Sequence, residues 1–129
     1  MDNLTDAERV YTPLPIESSR GFPQAFSVLF DGRTYHIRLY VNIAPARLAD
    51  RAAVLTLPSA DAFLVVQMEI EGSDGTRAPL LIRKVAPEQV YEAGAIALRF
   101  PEQRVAVRNL NGQGEFGSRV SGGIAPRWP

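Results

Sequence analysis

Gly112-x-Gly114-x-x-Gly117 fits the dinucleotide-binding fingerprint letter for letter and follows a strand-like stretch. That fingerprint works because its last glycine opens a helix whose N-terminus holds a pyrophosphate, while an acid about 20 residues further on binds the ribose. Only twelve residues follow Gly117, two of them Gly and two Pro, so the helix is missing and no cofactor is expected. His36 is the single histidine and sits beside Arg38 on the polar face of a strand pattern. Serines and acids are available for a Ser-His-acid triad, but no Gly-x-Ser-x-Gly elbow or other local signature converges them, and His36 reads as an exposed or interface residue. One His and no Cys leave only carboxylates for a metal, and Asp74 lacks the regularly spaced acids of a calcium loop. Glu69 with Glu71, and Glu88 with Glu92, read as solvated pairs, so no general acid or base is named. The expectation is a protein without catalysis, cofactor or metal.

Arginine supplies thirteen of the fourteen basic residues, Lys84 being the exception, and GC-rich codon usage accounts for that skew as well as function does. Arg99 opposes Ile96, Leu98 and Phe100, and Arg104 and Arg108 oppose Val105 and Val107, which would gather three guanidinium groups on one hairpin face. Without interleaved aromatics that face suits a charged protein contact better than nucleic acid, and a merely solvated edge accounts for it too. The fourteen basic and fourteen acidic residues cancel, which argues the same way. Trp128 stands between prolines near the end of the chain, and tryptophan is enriched among interface anchors. Candidate contact residues are therefore Tyr11, Arg38, Arg99, Arg104, Arg108, Arg127 and Trp128. The ends differ in charge: residues 1–19 hold four acids and one Arg, and residues 99–129 hold five Arg and two Glu.

The elements that would position these residues are strands. Phe26, Val28 and Phe30 alternate up to Asp31-Gly32, a strong hairpin dipeptide, after which Tyr35, Ile37, Leu39 and Val41 share one face and Thr34, His36, Arg38 and Tyr40 the other. Leu64, Val66, Met68 and Ile70 alternate next, Ser73-Asp74-Gly75 turns the chain, and Leu80 to Val85 return. Ile96, Leu98 and Phe100, a turn at Pro101-Glu102-Gln103, and Val105 with Val107 predict a third hairpin. Between them, Pro45 starts a short alanine-rich helical stretch, and Pro87 to Tyr91 reads as one helical turn. Residues 1–25 and the Gly-rich stretch from Asn109 show no period. No run approaches the roughly 18 apolar residues of a membrane span, and the acidic start is unlike a secretory signal, so a soluble, unprocessed chain is expected.

The run from Phe22 to Asn42, with its apolar hairpin, central Gly32 and Tyr35-x-Ile37-x-Leu39-x-Val41-Asn42 strand, resembles the opening of small phage baseplate plug proteins of contractile tails. The stretch from Phe63 to Leu81, with its Glu-Gly-Ser-Asp-Gly-Thr turn, looks like that family's next hairpin. The alanine-rich stretch from Ile43 to Asp61, the acidic arm and the longer Gly-rich tail depart from the family's pattern. The resemblance implies a structural virion component of the tail baseplate, assembled in the host cytoplasm. Its partners would be tail tube, hub, spike and copies of itself.

Together these readings predict an all-β fold, a small barrel or sandwich of about six strands built from hairpins. An extended arm (1–21) would precede a β domain (22–110), and a Gly/Pro-rich tail (111–129) would follow, both ends reaching neighbouring chains. Two other readings stay open. One is a soluble β-barrel with a ligand cavity among Phe26, Tyr35, Leu64 and Phe100; the other is an accessory domain of an enzyme complex.

Overall fold

The computed structural model describes residues 4–110 and 117–128. Alternation of apolar and polar side chains marks the longer strands, and the result is all-β, with only short 3-10 turns as helix. The strands are β1 (Thr12–Pro13), β2 (Gln24–Phe30), β3 (Arg33–Ile43), β4 (Val54–Thr56), β5 (Ala62–Glu71), β6 (Arg77–Val85), β7 (Val90–Ala93), β8 (Ile96–Arg99), β9 (Gln103–Ala106), β10 (Arg119–Val120) and β11 (Gly123–Pro126). They form three antiparallel sheets, ordered β2-β3-β5-β6, β1-β11-β8-β7 and β10-β9-β4.

The first sheet contains the two hairpins that the sequence marks most clearly. Asp31 (φ 51°) and Gly32 (φ 76°) both lie in the left-handed region, the requirement of a two-residue turn whose twist matches the flanking strands. Between β5 and β6, the Asp74 carboxylate accepts hydrogen bonds from the Thr76 N–H (3.1 Å) and hydroxyl (2.6 Å), which hold it below the usual carboxylate range. Period-two alternation then fixes the faces. Tyr35, Ile37 and Leu39 of β3 and Leu64, Val66 and Met68 of β5 point inward and are at most 1% exposed, joining Ile96, Leu98, Phe100 and Ile124 in one core.

Several expectations are corrected. Five strands were not anticipated: β1, β4, β7, β10 and β11. Ile96–Arg99 and Gln103–Ala106 do not pair as a hairpin; β8 lies between β7 and β11, and β9 lies between β4 and β10 in another sheet. Pro87 and Glu88 form a turn rather than helix, and the chain enters β7 at Val90.

The largest correction concerns the ends. Residues 4–21 and 117–128 belong to the same domain as 22–110. The Leu4 N–H donates to the Arg127 carbonyl (2.8 Å), β1 pairs with β11, and the Leu14 N–H donates to the Gly122 carbonyl (2.9 Å). Further along, the Ser18 hydroxyl accepts from the Val120 N–H (3.0 Å), and the fully buried Asn109 amide donates to the Ser18 carbonyl. The apolar positions explain this docking: Leu14 is 6% exposed, Val120 4%, and Ile124 and Ala125 0%, so both ends bury side chains that hairpins alone would leave uncovered. Residues 1–3, 111–116 and 129, and with them Gly112 and Gly114 of the fingerprint, lie outside the described residues.

Candidate functional site

The polar face of the β2-β3-β5-β6 sheet assembles groups that the sequence keeps far apart. Cross-strand register places Ser27 opposite His36 and His36 opposite Glu69, with Arg38 between Ala25 and Gln67. The Ser27 hydroxyl lies 2.8 Å from His36 Nδ1, and His36 Nε2 lies 3.1 Å from Glu71 Oε1. Ser27, His36 and Glu71 thus form a hydrogen-bonded row, which corrects the expectation that nothing pairs them. In the neutral ring, Nδ1 accepts from the serine and Nε2–H donates to the carboxylate; in the charged ring both nitrogens donate. Beside the row a shallow cleft of about 370 Å³ is lined by Ser27, His36, Arg38, Gln67, Glu69 and Arg77.

This row has the order of a nucleophile, a base and an orienting acid, but it sits on the flat of a sheet. In a strand, successive N–H groups point in the sheet plane, alternately to the two edges, and side chains stand perpendicular to it. That arrangement does not aim main-chain N–H groups at the place above Ser27 where a substrate oxyanion would develop, as an oxyanion hole does. What the row does hold is the inner half of the face: His36 is 16% exposed in its side chain, and Glu71 35%.

The second cluster joins the two ends. Glu92 on β7 meets Arg9 Nη2 at 3.4 Å and Arg127 Nε at 2.8 Å, so one carboxylate links the N-terminal segment to the C-terminal strand. Arg9 is the more demanding partner, because its side chain is only 3% exposed. Tyr11 donates to Asp6 (2.7 Å) and carries the Arg99 guanidinium 4.0 Å above its ring. Burial, followed by the Asp6 hydrogen bond, raises the Tyr11 phenol above its ordinary value. Trp128 is half-buried, with the Arg127 guanidinium 5.1 Å from its ring centre.

Four of the seven candidate contact residues, Tyr11, Arg99, Arg127 and Trp128, therefore gather around the docked ends. The other three do not join them. Arg38 lies on the polar face 5.9 Å from the Tyr40 ring, Arg104 sits on β9 opposite Thr56 and Arg119, and Arg108 is in the 3-10 turn Val107–Asn109. The single basic face expected of Arg99, Arg104 and Arg108 is divided between sheets. Of Phe26, Tyr35, Leu64 and Phe100, the walls proposed for a ligand cavity, the last three are buried in the core and the half-buried Phe26 packs against it.

Sequence reasoning missed Ser27 and Arg9, and it read Glu71 and Glu92 as solvated acids where the structure pairs them with His36 and with Arg9 and Arg127. Ser27 was accessible to it: with the turn at Asp31-Gly32, partners in the hairpin sum to 63, and Ser27 with His36 satisfies this. Glu71 needed the β3–β5 pairing, and Arg9 and Glu92 needed the docking of the ends, for which no local signal exists. Among the described residues no group of three or more His, Cys, Asp or Glu is placed to hold a metal ion, and no helix is long and apolar enough to cross a membrane. Comparison with known proteins gives no match to a family model, to a curated protein sequence or to a solved structure.

Proposed function

We propose that the chain is a structural component of a phage or phage-like contractile-tail baseplate, a non-catalytic plug and assembly protein at the junction of tail tube, hub and spike. The observation that carries this reading is the placement of the two stretches resembling plug proteins. Phe22 to Asn42 supplies β2 and β3, Phe63 to Leu81 supplies β5 and much of β6, and these four strands are consecutive neighbours in one sheet. Sequence stretches separated by an alanine-rich insertion thus form one contiguous unit, as a shared structural module would. The packed interior supports an assembly role over ligand storage, and the flat setting of Ser27, His36 and Glu71 supports a scaffold over an acyl-transfer enzyme.

The test is genetic and structural. Removing the coding sequence from its phage or tail-like element should arrest particles before a complete baseplate forms, and the supplied wild-type protein should restore them. The purified chain should also bind tube, hub or spike proteins encoded beside it. Normal tails in the deletion strain, or metabolic genes in place of tail genes around it, would remove the proposal.

A further inference from the structure

The two edges of the main sheet are treated differently. A free sheet edge is a template for pairing, and proteins that stay monomeric blunt it with proline, bulges or charge. The β6 edge has all three: Pro79, a register shift between Met68 and Glu69, and Arg77, Arg83 and Lys84. The β2 edge has none. Its seven residues, Gln24 to Phe30, include no charge, proline or glycine, and β3 is its only strand partner among the described residues.

The hairpin geometry says which groups face outward. Phe30 and Arg33 flank the two-residue turn and exchange the closing hydrogen bonds, so alternate residues of β2 bond to β3. Ala25, Ser27 and Leu29 therefore turn their N–H and C=O groups away from the sheet. Leu29 is 75% exposed, and Phe26, Val28 and Phe30 on the other face are only half-buried.

We infer that this edge pairs with the same edge of a second copy, antiparallel about a two-fold axis through Ser27. This inference does not depend on the baseplate reading. An isologous contact sets a surface against itself, so any charge near the axis would meet its own kind; an uncharged strand meets that condition. The register through Ser27 also matches outward groups to outward groups. Ala25 lies opposite Leu29 of the other copy and Ser27 opposite itself, giving about six main-chain hydrogen bonds at two per outward pair. On the core side Phe26 lies against Val28, extending one apolar face into the next. The result is one continuous sheet across both copies, with a Ser27–His36 pair on each side of the axis.

The oligomeric state of the full chain tests this, measured by sedimentation velocity and light scattering over a concentration series. The wild-type chain should show twice the monomer mass of 14.2 kDa. Ser27→Lys and Ser27→Glu chains should each fall to monomer mass, since like charges then face each other across the axis, and an equal mixture of the two should regain the dimer mass. Leu29→Lys, on a side chain already in solvent, provides a second disruption should Ser27→Lys prove unfolded by circular dichroism. A monomeric wild-type chain at high concentration would assign the edge to a different protein and overturn the inference. A dimer that survives both folded Lys variants would overturn it equally.

Discussion

Ile124 is the most direct probe of whether the C-terminal strand belongs to the body of the domain. Its side chain is 0% exposed, and its backbone lies between Leu98 of β8 and Thr12 of β1. Ile124→Ala deletes three buried carbons and leaves a hole that neighbours on two strands cannot fill without breaking register, which costs about 2–5 kcal/mol. Set against a total stability of about 5–15 kcal/mol, that is a large fraction. With a urea slope of about 1–3 kcal/mol/M, a loss near 3 kcal/mol lowers the unfolding midpoint by roughly 1–3 M. The assay is urea titration followed by far-ultraviolet circular dichroism, with Val10→Ala, at 83% exposure, as a control expected within about 0.5 kcal/mol of wild type. Deleting residues 117–129 should go further and prevent folding, because it uncovers Leu98 and Phe100. An Ile124→Ala midpoint equal to wild type, or a cooperatively folded truncation, would refute the placement of β11 in the core.

Gly122→Ala should destabilise by about 1–3 kcal/mol in the same titration, since an added Cβ would lie 2.8 Å from Phe100 Cδ1 and 3.1 Å from Ile16 Cδ1, and the 0% exposed Phe100 ring has nowhere to move. Glu92→Ala should cost about 1–3 kcal/mol, less than the loss of a fully buried pair because the carboxylate keeps solvent contact, and Arg9→Met should partly rescue it by removing the stranded charge. Burial raises the Tyr35 and Tyr11 phenols above 10.0, so the folded chain keeps protons that the unfolded chain releases. Stability should therefore be full below about pH 10 and fall as pH rises beyond it, read from urea midpoints, and Tyr35→Phe should flatten that fall.

Local alternation made β2, β3 and β5 legible, because one face of each packs on the core; β6, whose exposure does not alternate, was legible as the return strand after the Ser-Asp-Gly turn. The same signal failed for β1, β10 and β11. Two-residue strands such as Thr12–Pro13 and Arg119–Val120 are too short for a period, and β11 reads Gly-Ile-Ala-Pro, a composition ordinarily assigned to a turn. Gly122 and Gly123 suggested flexibility, yet Phe100, Ile16 and Tyr11 pack where their side chains would be. Glycine there answers to close packing, which only the tertiary structure reveals. Hairpin arithmetic would have placed Ser27 beside His36, whereas Glu71 becomes their neighbour only through a strand pairing 35 residues distant.

The docked ends also bear on which surface is left for other molecules. The strand β8 would be an edge of the β7-β8 hairpin; instead β11 pairs with it, β1 covers β11, and Glu92 holds both terminal segments against β7 through Arg9 and Arg127. Tyr11, Arg99 and Arg127, whose chemistry suits an interface, make that contact within the chain. A search for intermolecular contacts guided by aromatic and arginine content alone would therefore be drawn to a joint the protein makes with itself. The β2 edge has no arginine, and its aromatics Phe26 and Phe30 turn toward the core, but its outward main-chain groups and the exposed Leu29 lack such a cover among the described residues. Main-chain pairing needs no conspicuous side chain, and here charge on β2 would oppose it. The physical case for association thus rests on the plainest strand in the sequence, with the polar row of Ser27, His36 and Glu71 fixing the face beside it.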